Sequence, residues 1–222
     1  METENKNKDL AELETQLSRP HGLNGIEVAR RMSATNRKLI EKTIVSLGIS
    51  DNQWVLEIGH GNGIHVNYVL EQSAGIKYLG IEISETMHEE AKRLNQTFLG
   101  EKVKNFALYN GTKIPAKDNS FDKIFTVNTI YFWENKKLLL SEIKRVLKHN
   151  GIFSIGYVDE SSMTKLPYVM KKFDLFSDNK VKKMMNDNGF VVVSKSTDYE
   201  NITNNMGDLI NRKTHIMQVK IG

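Results

Sequence analysis

The sequence predicts an α/β fold: a doubly wound, mostly parallel sheet of seven strands, with an antiparallel hairpin at its C-terminal edge and a helical N-terminal segment. Three observations carry this expectation. From Gln53 onward short apolar runs alternate with amphipathic helical stretches, the pattern of parallel strands joined by crossover helices. The last two apolar runs have no helix between them, so they return antiparallel. A chain of 222 residues, 39% hydrophobic and 26% charged, is ordinary globular composition and long enough to bury a full core.

Taken in order, residues 1–19 read as a charged helical arm, frayed at its start and punctuated by Pro20, His21 and Gly22. A second helix is expected to start at Asn24, with Glu27 completing a capping box and Leu23 stapling onto Val28. Its buried stripe is Val28, Met32, Ile40, Ile44 and Leu47. Asn36 falls on that stripe, either as a kink or satisfied core amide or as a polar group facing a ligand. Residues 54–58 read as a strand, 64–73 as a helix and 78–82 as a strand. Ser84 then caps a helix with Met87, Ala91, Leu94 and Phe98 on its inner face. Strands follow at 105–109 and 122–127. The next helix carries Leu138, Leu139, Ile143, Val146 and Leu147 and is expected to stop at Asn150-Gly151. A strand at 151–157, an irregular insert, a helix at 178–188 ending on Gly189, and strands at 190–197 and 214–221 complete the chain. Residues 1–50 are thus expected to form an arm or lid, and 51–222 the ligand-binding sheet domain, in one globular unit.

Composition excludes several chemistries. There is no cysteine, so disulfides, thiolate metal sites and cysteine nucleophiles are out. The six histidines are scattered without metal-ligand spacing, and no metal is expected. A net charge of +4, with lysines spread along helices, suits solvated faces better than a nucleic-acid track. No apolar run nears the roughly 20 residues that span a bilayer, so no membrane insertion is expected. The polar first residues lack the apolar centre of a secretory signal, which points to the cytoplasm. The oligomeric state is left open.

The chemistry-bearing segment is Glu57-Ile58-Gly59-His60-Gly61-Asn62-Gly63. An apolar strand runs into alternating glycines and a helix follows, so backbone can approach a ligand closely and helix N–H groups can meet an anion. Glu57 points a carboxylate into the same crevice. A dinucleotide fold would want a third glycine or alanine where Ile64 stands.

The spacing acid-x-G-x-G-x-G instead resembles motif I of class I S-adenosylmethionine (SAM)-dependent methyltransferases, and three further segments agree in order. Tyr78-Leu79-Gly80-Ile81-Glu82-Ile83 ends a strand on an acid; Asn110-Gly111 through Ser120-Phe121-Asp122 is similar to the family's G-D-A-x-x-L-P-F-x-x-x-S-F-D stretch; and Leu147-Lys148-His149-Asn150-Gly151 resembles its L-K-P-G-G turn. The likeness covers about residues 53–158 and is closest in flavour to the UbiE-like (methyltransferase type 11) group.

What the resemblance implies is a Rossmann-like fold, SAM as cofactor and S-adenosylhomocysteine (SAH) as product. Glu57, Gly59, His60, Gly61 and Gly63 would line the cofactor, with Glu57 accepting from its amino group. Glu82 would take the ribose hydroxyls, Ile83 would pack on adenine, Asn110 and Gly111 would flank adenine with the Asn110 oxygen as acceptor, and Asn128 would lie near the cofactor. Tyr131 and Trp133, in the loop after the fourth strand, would face the methyl acceptor, as would His21 and Asn36 from the N-terminal helices. Tyr131 and His60 are the catalytic candidates. The acceptor is expected to be a small molecule, its reacting atom C, N or O. The alternatives are a non-catalytic SAM- or SAH-binding protein and an NAD-dependent oxidoreductase, the latter disfavoured by Ile64.

Overall fold

The structure is a computed structural model and describes residues 2–97, 103–204 and 206–222. Helices α1 (Glu2–Ser18) and α2 (Gly22–Ser46) come first. Then follow β1 (Trp54–Ile58), α3 (Val66–Leu70), β2 (Lys77–Glu82), α4 (Glu85–Leu94), β3 (Val103–Leu108), β4 (Phe121–Val127) and a 3₁₀ turn at Ile130–Phe132. The chain closes with α5 (Lys136–Val146), β5 (Leu147–Val158), α6 (Glu160–Met163), α7 (Asp178–Asp187), β6 (Phe190–Thr203) and β7 (Leu209–Ile221). Seven strands form one sheet in the order β3-β2-β1-β4-β5-β7-β6. The first five are parallel, and β7 runs antiparallel to both β5 and β6. The fold class expected from sequence is therefore the one found.

Period-two alternation assigns each strand residue to a face. On β1, Val55 joins an apolar cluster with Ile44, Val66, Tyr78 and Phe106, whereas Leu56 and Ile58 join the opposite cluster with Ile124, Ile143 and Phe153. Glu57 shares the face of Val55, which aims its carboxylate at Tyr78 and at the loop leading into α3.

Several local expectations are corrected. Helix α2 starts before Asn24: His21 is its N-cap, without a side-chain cap bond. Glu27 turns out to Arg30 and Arg31, and Leu23 is 85% exposed, so neither capping box nor staple forms. The α1–α2 corner sets the start instead, through Gln16 Oε1 accepting from the His21 N–H at 2.8 Å. On α2, Ile44 and Leu47 are buried while Val28, Met32 and Ile40 are only half-buried. Helix α3 is far shorter than 64–73, because turns of the glycine loop occupy the chain up to Val66.

Ser84 does cap α4, accepting from Met87 N at 3.2 Å, and Met87 and Ala91 are buried. Leu94 is 38% exposed; Phe98 lies outside the described residues. Helix α5 ends at Val146, not at Asn150-Gly151, which sits inside β5. Leu147 is drawn into the core opposite Phe121, so the chain is already extended there. The hairpin strands run further than 190–197 and 214–221, since polar cross-strand pairs such as Glu200↔Arg212 and Asn201↔Asn211 continue the ladder beyond the apolar alternation. Among the described residues no helix is long and apolar enough to cross a membrane.

Candidate functional site

The sheet's order reverses at β1, which lies between β2 and β4, and open α/β sheets bind ligands outside the C-terminal strand ends at such a point. A cavity of about 250 Å³ opens there, lined by residues that include Glu57, Gly59, His60, Gly61, Glu82, Ile83, Asn110, Gly111, Asn128 and Trp133.

Glu82 ends β2 with its carboxylate buried. Oε1 accepts from the N–H groups of Ile83 (2.7 Å) and Ser84 (3.0 Å), and Oε2 from that of Gly61 (3.0 Å). Burial raises its pKa, and those three N–H groups oppose the rise. The loop's own donors are largely spent: Gly59 N donates to Ile81 O, Gly61 N to Glu82, and Gly63 N to His60 O. Gly61 has φ +56°, and a Cβ built there meets nothing within 4 Å, so the loop presents an open cradle to the cavity.

Gly59 is confined on both counts, with φ +75° and a built Cβ only 2.4 Å from Thr129 Cγ2. Gly59→Ala is expected to cost at least about 2 kcal/mol, left-handed strain plus a backbone or Thr129 displacement. Urea unfolding checks this, and an unchanged midpoint contradicts the geometry. Gly63 does not line the cavity; it lets α4 approach, a Cβ there meeting Ala91 Cβ at 3.0 Å.

Glu57 is already engaged. His65 Nε2 lies 2.8 and 2.9 Å from its two oxygens, and the Tyr78 hydroxyl donates to Oε2. Burial and then the Glu57 charge hold the Tyr78 phenol well above its usual pKa, so it stays a donor. Burial acts to lower the His65 pKa, but Glu57's charge and hydrogen bond overcome it and the net shift is upward. His65 also lines the cavity. The sequence reading placed it only at the start of a helix; its signal was a basic ring two residues beyond the glycine loop.

His60 is buried against Phe106, with ring centroids 4.8 Å apart, and its Nδ1 lies 2.7 Å from Gly61 O. That carbonyl can only accept, so Nδ1 carries the hydrogen and Nε2 is a lone pair without a partner among the described residues. Burial drops its pKa to about 4. At neutral pH it is an uncharged ring too weakly basic to take a proton from a substrate.

Asn110 differs from expectation in detail. Its Oδ1 accepts from Thr112 N, Thr112 Oγ1 and Lys113 N at 2.8–3.1 Å. The oxygen is saturated in closing the turn, which leaves the amide NH₂ for a ligand.

A second cavity of about 80 Å³ adjoins the first, sharing Leu17, Met32, Asn36, Asn128 and Phe132. Tyr131 lines this one. Its hydroxyl oxygen accepts from Val158 N at 2.6 Å and its hydrogen faces Asn128 Oδ1 at 3.0 Å, with Val158 O at 3.2 Å. Burial raises its pKa further, so the phenol is a fixed, protonated wall. Trp133 lines the larger cavity instead, its Nε1 donating to Thr129 Oγ1 at 3.0 Å. His21 lies outside both cavities, exposed and turned to Gln16; Leu17, Ser18, Arg19 and Pro20 form the wall in its place. Asn36 proves both satisfied and cavity-facing, accepting from Arg212 Nη1 at 3.0 Å. Arg212 and its partner Glu200 had no sequence signal, because only the hairpin register brings them opposite each other. Among the described residues no group of three or more His, Cys, Asp or Glu could hold a metal ion.

Residues 56–155 match a family model described as a methyltransferase domain. Over those residues the chain is similar to methyltransferase domains. It is 30% identical over 54% of its length to the uncharacterized methyltransferase YdaC of Bacillus subtilis, of which the match covers 64%, somewhat under two thirds. A solved SAM-dependent methyltransferase from Aquifex aeolicus superposes on this chain with a TM-score of 0.66, at 21% identity, over 87% of this chain and 97% of the other, which shows a shared fold. The [4+2]-cyclase SpnF gives 0.64 at 15% identity over 82% and 81%. Fold and chemistry are separable in this group, so the site must argue for itself.

The donor set fits SAM. A buried carboxylate at the end of β2 suits a free ribose diol, and Ile83, Met87 and Tyr109 offer an apolar slot for a base. Among the described lining residues Arg19 is the single lysine or arginine, and the N–H groups of Gly59, Gly61 and Gly63 are already bonded within the protein, which suits a pyrophosphate poorly.

Proposed function

We propose that the protein transfers the methyl group of SAM to a small organic acceptor seated in the smaller cavity. The observation that carries this reading is the junction of the two cavities at Asn36, Asn128 and Phe132, directly beyond the strand ends that hold the carboxylates. Bound SAM supplies a methyl group already activated on a sulfonium sulfur. What remains for the protein is to align the acceptor and exclude water.

In this reading Glu82 holds the ribose hydroxyls and Ile83 packs on adenine. Asn110, its oxygen used in the turn, donates its NH₂ to a ring nitrogen, while Gly111 lets the base approach. Gly59 and Gly61 shape the loop around the methionyl part. Glu57 acts through His65, whose ring meets the cofactor's carboxylate. The Phe132 and Trp133 rings suit a sulfonium charge. Tyr131 positions Asn128 and is not a proton acceptor. Residues 1–50 act as a lid over 51–222: Glu14 Oε1 accepts from Met170 N (2.9 Å) and Lys172 N (2.8 Å), clasping α1 to the insert that roofs the smaller cavity. The UbiE-like subgroup assignment rests on the four motif segments.

Methyl-labelled SAM, incubated with protein and a panel of small nucleophiles, is expected to give SAH only when an acceptor is present. Tight SAH binding with no turnover on any acceptor would favour a non-catalytic SAM-binding protein. The His65 role carries its own expected result. The imidazolium paired with Glu57 is fully formed below pH 6.5, the ordinary histidine value, and is lost as pH rises through its raised folded value. SAH affinity should therefore fall with rising pH over that range, and His65→Gln should flatten the profile. A pH-independent affinity in the unaltered protein contradicts it.

A further inference from the structure

The smaller cavity is lined by apolar side chains together with neutral polar groups such as Thr35, Asn36, Asn128 and Ser162, and among the described residues its lining contains no Asp, Glu, His or Lys. Among the described residues the one charged side chain on it is Arg212, which is itself almost fully buried. The Arg212 guanidinium has five N–H donors. Nε and Nη2 both reach Glu200 Oε1 at 2.8 Å, Nη2 also donates to Thr35 O at 2.9 Å, and Nη1 donates to Asn36 Oδ1 at 3.0 Å. One Nη1 N–H has no partner among the described residues.

Resting on the methyltransferase reading, we propose that the acceptor is a compact apolar phenol or thiol, methylated as its anion, which takes the spare N–H of Arg212. Each competing class meets an obstacle in these residues. An ordinary carbon acid or amide is too weak an acid to ionise in water and needs a base to remove its proton, and this cavity supplies none. An amine becomes or remains a cation on methylation, with no carboxylate in the lining to receive it and Arg212 beside it. A carboxylate calls for two donors, and the guanidinium has one left. A phenolate or thiolate needs a single donor.

The reaction balances without further help. The acceptor loses its proton to bulk water before it enters. The anion's electron pair forms the new O–C or S–C bond, while the pair of the broken C–S bond stays on the cofactor's sulfur. An anion and a sulfonium become two neutral products, and the low dielectric of an apolar cavity favours that loss of charge. Size restricts the acceptor as well. The cavity is about 80 Å³, roughly half of a 150 Å³ apolar cavity that holds benzene. A single ring fits when its reacting edge crosses the shared border into the larger cavity.

Four probes of one ring size test this on SAH-loaded protein: thiophenol, phenol, aniline and benzoate. By calorimetry, thiophenol or phenol should bind at least about tenfold tighter than aniline and benzoate, the size of one charged hydrogen bond; their relative affinities separate sulfur from oxygen. The ultraviolet absorbance of bound thiophenol should show ionisation at lower pH than in water. In the paired variant Arg212→Met/Glu200→Leu, which removes both charges and so preserves folding, thiophenol should still bind but lose that acid shift. Tighter aniline or benzoate, an unaltered shift in the paired variant, or no binding of any probe overturns the proposal. If SAH binds and the panel fails, only the acceptor class falls. If SAH itself does not bind, the methyltransferase reading falls with it.

Discussion

Arg212→Ala is expected to destabilise the fold by about 3–5 kcal/mol, the cost of leaving a buried carboxylate without its partner. Arg212 and Glu200 are each about 6% exposed and meet through two nitrogens, and the same guanidinium ties α2 to the hairpin through Thr35 O and Asn36. Removing both charges together, as Arg212→Met/Glu200→Leu, should recover most of that loss, since a buried pair roughly balances its own desolvation. Urea unfolding with equal slopes for the three proteins is the measurement. A single variant within about 1 kcal/mol of the parent would mean that the pair is screened like a surface salt bridge and does not wall a dry cavity.

Glu82→Ala is expected to weaken SAH binding by about 1.5–3 kcal/mol, or about 10- to 150-fold, because in the proposed placement the ribose loses a charged acceptor. The same change frees the N–H groups of Gly61, Ile83 and Ser84, so the loop loosens and the effect should lie toward the upper end. Glu82→Gln, which keeps an oxygen for the loop donors, should lose less. Circular dichroism must show both variants folded. Unchanged affinity in folded Glu82→Ala would remove the ribose from β2.

The strands and the mostly parallel sheet with its antiparallel edge hairpin were legible because alternation and crossover helices are local patterns, and the glycine loop stood out because its backbone needs are special. Glu82, Ile83, Gly61 and Gly111 fell where the motifs put them, on the cavity. Other positions depended on tertiary context. Asn24 offered a good cap, but the α1–α2 corner decided where the helix begins. Gly63 answered to the approach of α4 and not to a ligand, and His21 turned to Gln16, away from either cavity. The Asn110 oxygen was spent on its own turn. His65 and Arg212 were out of reach for a different reason: each gains meaning from a partner, Glu57 across the loop or Glu200 across a hairpin, and no spacing rule announces such pairs before the register is known.

The proposed cofactor site is the cavity beyond β1 and β2. Calorimetric titration of the purified protein with SAH, with NAD run in parallel, tests it most directly. Micromolar SAH binding and no NAD binding are expected, since a buried carboxylate suits a free ribose and a lining poor in cations suits a ligand without a pyrophosphate. Tight NAD binding without SAH binding, by folded protein, would contradict it.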